Sequence, residues 1–187
     1  MKKILAFLLA TLMLLSLTAC AGNNANNTTT TAAPTSSVIK PTELKEGTRG
    51  TATWETFEKY VTENPEATPD EIAQILCDKL QENEDSPMMG VMPIEPGYLP
   101  GLSPENSEVE IKGFKSGATF APMIGSIAFV GYVFELEEGA DAEAFIAELE
   151  KNANPRWNIC VEASETVIGA VDNLVFFVMT PDGAENS

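Results

Sequence analysis

The sequence predicts an α+β fold, an antiparallel sheet with helices packed on one face, behind an apolar leader and a flexible tether. Two observations carry this. Helical patterns open the folded part, and the chain closes on two apolar runs around Asp172-Asn173, the spacing of a two-residue hairpin. A third helix between one long apolar strand and that hairpin fits an antiparallel sheet better than a series of parallel crossovers.

Each element has a local reason. Trp54, Phe57, Tyr60 and Val61 recur at helical spacing until Asn64-Pro65 stops them. Thr68-Pro69-Asp70-Glu71 then sets a capping Thr, a Pro at the first helical position and an acid three residues on. The helix it opens presents Ile72, Ile75, Leu76 and Leu80 on one face. Ser86 to Pro104 holds five prolines and reads as irregular, since Pro is poorly tolerated in central strands. Glu108 to Lys112 alternates as a strand with one wet face, and Ile124 to Leu136 reads as a longer strand. Asp141 caps a helix with Ala142, Phe145, Ile146 and Leu149 inward, ending near Asn154-Pro155. Trp157 to Val161 reads as a short strand, and Thr166–Val171 with Leu174–Met179 forms the closing hairpin.

The leader has its own logic. Lys2 and Lys3 precede the apolar run Ile4 to Leu17, which is shorter than the roughly 20 residues a spanning helix needs. A basic end, an apolar middle and small residues before a cut are the layout of a secretory signal peptide. Leu17-Thr18-Ala19-Cys20 resembles the lipobox of bacterial lipoproteins. The resemblance implies cleavage before Cys20 and a diacylglyceryl thioether on Cys20. Two acyl chains hold where one binds only marginally, so such a chain is anchored to the membrane without spanning it. The expected organisation is residues 1–19 as signal peptide, 20–49 as lipidated Cys20 and flexible tether, 50–181 as one α+β domain, and 182–187 as a tail. "NNANNTTTTAAPTSS" is polar and without periodicity, and it buries too little to fold. Within the tether, Ser37-Val38-Ile39-Lys40 matches an S-x-x-K pattern, but no other part of that catalytic constellation accompanies it.

Charge narrows the partners. The chain carries 28 acidic and 11 basic residues, a net charge of −17. That argues against nucleic acid and against anionic lipid bound through a basic patch. It is the composition of a solvated acidic surface.

The residue content excludes most catalytic chemistries. With no histidine, Ser-His-Asp and Cys-His nucleophile systems and His-ligated metals are out. Gly125-Ser126 lacks the second glycine of a nucleophile elbow, and no phosphate-cradling glycine loop is present. Glu108 and Glu110 would share a strand face about 6.6 Å apart, within the range glycosidases use, yet Val109 and Ile111 set them on the solvent side. The acid-rich stretches Glu82–Ser86 and Glu135–Glu143 do not fit a calcium loop. Met88, Met89 and Met92 invite a copper(I) reading, because thioethers are soft ligands. In an extended chain Met88 and Met92 share a face and Met89 points away. Gap-filling packing is the expectation for them, so no cofactor and no metal is assigned. Cys77 and Cys160 are the cysteines left beside Cys20; two separate buried thiols are expected ahead of a disulfide.

The proline-rich segment is the place to look for function, since long irregular loops are often functional. Tyr98, Leu99 and Leu102 are its candidate interaction surface; the bland alternative is that they fold back over the sheet. Ala121-Pro122-Met123, the strand Ile127–Leu136, the helix Asp141–Lys151, Trp157 and the closing hairpin are similar to an uncharacterised domain of small lipoproteins in Gram-positive anaerobes. That resemblance implies an α+β lipoprotein domain and carries no catalytic residue.

The expectation is a non-catalytic binding or interaction module on the extracytoplasmic face of the bacterial membrane. It meets the membrane through lipid on Cys20, meets a protein or small-molecule partner, and does not meet nucleic acid. The alternatives are a small envelope hydrolase using Glu108 and Glu110, or a structural accessory subunit of an envelope complex.

Overall fold

The computed structural model describes residues 36–82, 86–105, 107–124, 127–158 and 160–181. The signal peptide, Cys20, most of the tether, residues 83–85, Gly125-Ser126 and the tail lie outside the described residues.

The elements run β1 (Val38–Ile39), α1 (Arg49–Glu63), α2 (Pro69–Leu80), β2 (Met89–Ile94), β3 (Gly97–Tyr98), β4 (Glu110–Ile111), β5 (Phe114–Pro122), β6 (Val130–Leu136), α3 (Ala142–Asn152), β7 (Glu165–Val171) and β8 (Leu174–Thr180). The fold is α+β. Six strands form one antiparallel sheet in the order β1-β7-β8-β6-β5-β2, and β3 and β4 make a separate two-stranded ribbon.

The helices divide between both faces of the sheet rather than sharing one. β8 explains why. Leu174 to Met179 is apolar at every position and buried throughout, so the sheet is dry on both sides and needs cover on both. Leu174, Phe176 and Val178 join Trp54 and Phe57 of α1 and Ile72 and Leu76 of α2. Val175, Phe177 and Met179 join Phe145, Ile146 and Leu149 of α3 and Leu99 and Leu102 of the loop.

The α1–α2 face is the more closely built. Trp54, Phe57 and Phe176 pack ring against ring with centroids 5.1–5.8 Å apart. Gly169 makes room for Trp54, since a Cβ there would lie 2.6 Å from the indole. The capping box of α2 forms as expected: Glu71 N–H donates to Thr68 Oγ1, and the Glu71 carboxylate accepts from Thr68 N–H. The Thr68 donors hold the Glu71 carboxyl below its usual range. α1 starts on Thr48, whose hydroxyl donates to the buried Glu165 carboxylate at 2.6 Å. Gly50 N–H donates to the same carboxylate at 3.0 Å, so a negative group sits where the helix dipole favours it.

Several readings of the sequence change. β5 falls between the two strands expected and lies one strand in from the β2 edge of the sheet. The strand expected over 124–136 begins at Val130, and that expected over 108–112 shortens to Glu110–Ile111. The described residues between Trp157 and Val161 run as turns and not as a strand. The segment read as irregular contains β2, and its Pro93 is tolerated because β2 is an edge strand. The tether also stops short of residue 49. Val38 and Ile39 pair with β7, and Ser37 N–H donates to Asp172 Oδ1 at 2.8 Å. The S-x-x-K serine and lysine therefore border an edge strand. Cys77 is buried and Cys160 is exposed; both are free thiols, and burial pushes the Cys77 thiol up to about 11.

Candidate functional site

α3 covers only part of its face of the sheet. At the β6–β5–β2 end the cover passes to the loop that follows β3, and a cleft of about 430 Å3 remains. Thr119 and Ala121 of β5 and Tyr132 of β6 border it on the sheet side; Met92, Tyr98 and Trp157 line its rim. The volume lies within the range of small-molecule sites.

The loop is pinned at several points. Tyr132 is buried, and its hydroxyl donates to the Pro100 carbonyl at 2.7 Å. Burial pushes that phenol well above the usual tyrosine range, so it stays a protonated donor. Gly101 has φ +81, a region that favours glycine, and a Cβ there would meet Met179 at 2.7 Å. Asn154, just past α3, donates from its backbone to the Gly101 carbonyl and from its side chain to the Ser103 carbonyl. Ser103 in turn accepts from Val109 N–H at 3.1 Å.

This geometry separates the three candidate residues. Leu99 and Leu102 are core, 4% and 0% exposed, and fold back onto the sheet. Tyr98 is 59% exposed and remains a surface residue. It borders the first cleft and a second one of about 470 Å3 that also touches Trp157 and Glu108. Tyr98 and Trp157 thus stand between two hollows.

Both glutamates of the candidate pair are exposed. Glu108 precedes β4 and is exposed. Glu110 is exposed and ion-paired with Lys112, which holds its carboxyl below the usual range, the wrong direction for a proton donor. No group of three or more His, Cys, Asp or Glu able to hold a metal occurs among the described residues. Nor is any helix among them long and apolar enough to cross a membrane.

Sequence reasoning misses two parts of this region. Trp157, expected in a strand, stands on a turn beside Tyr98. Met123 and Ile124 are 65% and 82% exposed; Met123 adjoins Met88 and Gly90 at the start of β2, and Met88 and Met92 are 68% and 61% exposed. Met89 packs in the core as expected; Met88 and Met92 fill no gap. No family model, no curated protein and no solved structure matches the chain.

Proposed function

We propose that the chain is a lipid-anchored, extracytoplasmic binding module that does no chemistry of its own. Lipid on Cys20 holds it at the membrane, and the cleft beside Tyr98 receives a protein or small-molecule partner. One observation carries the reading: Met92 and Tyr98, two of the strongly exposed large apolar side chains, line the cleft that α3 leaves uncovered, and exposed Met88 and Met123 meet further along the same sheet edge. Contiguous exposed apolar surface of this kind marks interaction sites. The lipobox resemblance and the acidic, histidine-free composition are consistent with such a module.

The test is crosslinking in cells followed by mass spectrometry, with Cys20→Ala and Tyr98→Ser forms alongside. A partner captured by the native form, and lost or reduced in both variants, supports the reading. Capture that is undiminished in Tyr98→Ser removes this surface. Co-purification of the anchored form with a stable membrane complex, insensitive to Tyr98→Ser, favours an accessory subunit instead.

A further inference from the structure

We propose that the free edge of β2 takes up an extended peptide as an added strand of the sheet. The peptide it fits carries apolar side chains at alternate positions and a basic residue at the end that reaches Glu95. This surface goes beyond the cleft, which it borders at Met92.

β2 ends the sheet and pairs on its inner side alone, with β5. Met123 N–H donates to the Met88 carbonyl at 2.8 Å, so Met88 turns its backbone groups inward. Direction alternates along an antiparallel ladder, so Gly90, Met92 and Ile94 also face inward, and Met89, Val91 and Pro93 face outward. Met89 N–H accordingly donates to Gln81 Oε1 at 3.3 Å, outside the ladder, and Pro93 has no N–H to leave unpaired. The Val91 N–H and the carbonyls of Met89, Val91 and Pro93 have no backbone partner among the described residues.

Sheet edges are commonly blunted by charged side chains, bulges or prolines. β2 pairs with β5 from Met89 to Ile94 without a shift of register, and Ser86 to Ile94 holds no charged residue. Pro93 is its one guard, and it removes a single donor. At the opposite edge β1 already covers β7 at Ala170 and Val171.

Met88, Gly90, Met92 and Ile94 share one face of β2. Met88 and Met92 stand about 13 Å apart, the reach of roughly five extended residues, and Met123 lies over Gly90 between them. All three methionines are more than 60% exposed, so the interior does not use them. A guest strand sets every second side chain over this face. Flexible thioethers fit themselves to varied apolar partners. Main-chain bonds then supply affinity, and the alternate side chains supply selectivity.

Charge decides the occupant. Glu95 directly follows β2, is exposed and has no basic partner among the described residues. Glu82, before β2, is already paired with Lys79. A net charge of −17 opposes a second copy of the chain and an acidic guest.

The test uses the full-length, 15N-labelled protein in detergent micelles and the capped peptide Lys-Val-Thr-Val-Thr-Val-Thr-Val. In antiparallel register its valines lie opposite Ile94, Met92, Gly90 and Met88, its central threonine opposite Val91 and its lysine opposite Glu95. The Val91 amide signal should shift, saturate at one peptide per chain and exchange more slowly with solvent. The signal of Phe176, inside the sheet, should stay in place. N-methylation of the threonines removes the donors that face β2 and should abolish binding. Val91→Pro removes the outward donor and should weaken binding at least about fivefold. Met92→Lys charges the edge at an exposed position and should do the same, with an unchanged thermal melt. A peptide headed by Glu should bind more weakly at low salt, and Glu95→Lys should reverse that preference.

No saturable shift at Val91, equal binding of the N-methylated peptide, or undiminished binding by both Val91→Pro and Met92→Lys would overturn the proposal. So would a dimer that forms without peptide and dissociates in Val91→Pro, since β2 then pairs with a second copy. Shifts confined to Tyr98 and Trp157 would put the peptide in the cleft instead and overturn it too. Tyr98→Ser should leave binding at β2 intact, so the fate of this edge is separate from that of the cleft.

Discussion

The two faces of the sheet are built from alternate residues of the same strands, yet they are finished differently. On one, α1 and α2 lie side by side and seal Trp54, Phe57, Phe120 and Phe176 beneath them. On the other, α3 covers β7 and β8, and a loop held by Tyr132, Gly101 and Asn154 covers what it can of β6 and β5. The difference teaches where stability and recognition divide. The sealed face spends its apolar side chains on packing. The half-covered face leaves a cleft and a group of exposed methionines where helical cover runs out.

The contrast is tested most sharply on the sealed face. Phe57→Ala should cost about 3–5 kcal/mol in urea unfolding, because the cavity opens within an aromatic cluster that cannot collapse. A loss no larger than that of a surface change would mean that the α1–α2 layer is loosely packed. On the other face, Leu99→Ala should cost about 2–5 kcal/mol, whereas its neighbour Tyr98→Ser should change stability by no more than about 0.5 kcal/mol. Paired unfolding curves would show whether burial really switches between residues 98 and 99. The smallest effect belongs to the margin of the sheet, where Lys115 and Ser116 donate to the Glu135 carboxylate and hold it below its ordinary value of 4.5. The lowered value means that this contribution is present above the unfolded pKa and fades as pH falls through the folded one. Glu135→Gln should therefore flatten the stability profile at and below pH 4.5 and leave its relative shape at neutral pH unchanged. The change will be small because the partner lysine is exposed. Parallel profiles for the two proteins would show that the contact is not formed in solution.

Much of the architecture is legible because its signals are local. The Thr68–Glu71 box, the Asp141 cap and the Asp172-Asn173 turn each state their geometry within four residues, and Asp172 takes the positive φ of 54 that such a turn requires. β5 is not legible. Phe-Lys-Ser-Gly-Ala-Thr-Phe-Ala-Pro has few β-branched residues, and Gly117 interrupts it to admit Ile94 from the neighbouring strand. β2 hides behind Pro93, whose tolerance depends on an edge position that only the assembled sheet defines. The two-sided cover is written in the unbroken apolar run of β8, but such a run suits a hairpin strand whichever way the helices are shared out. The candidate site is legible only as Tyr98. Trp157 reaches the same corner from about 59 residues further on, and long-range convergence leaves no periodic trace.

The two-residue strand β1 has a consequence for orientation. The described chain enters the domain at Ser36, whose hydroxyl donates to Asp172 at 2.7 Å, and it joins the sheet at the β7 edge. β2, with its methionines, is the opposite edge, five strand spacings away, or about 24 Å. Anything that pulls on the chain upstream of Ser36 therefore loads one rim of the sheet and leaves the other rim unburdened. A leash fixed there works like a hand on the handle of a paddle: the far blade is the part free to meet what passes.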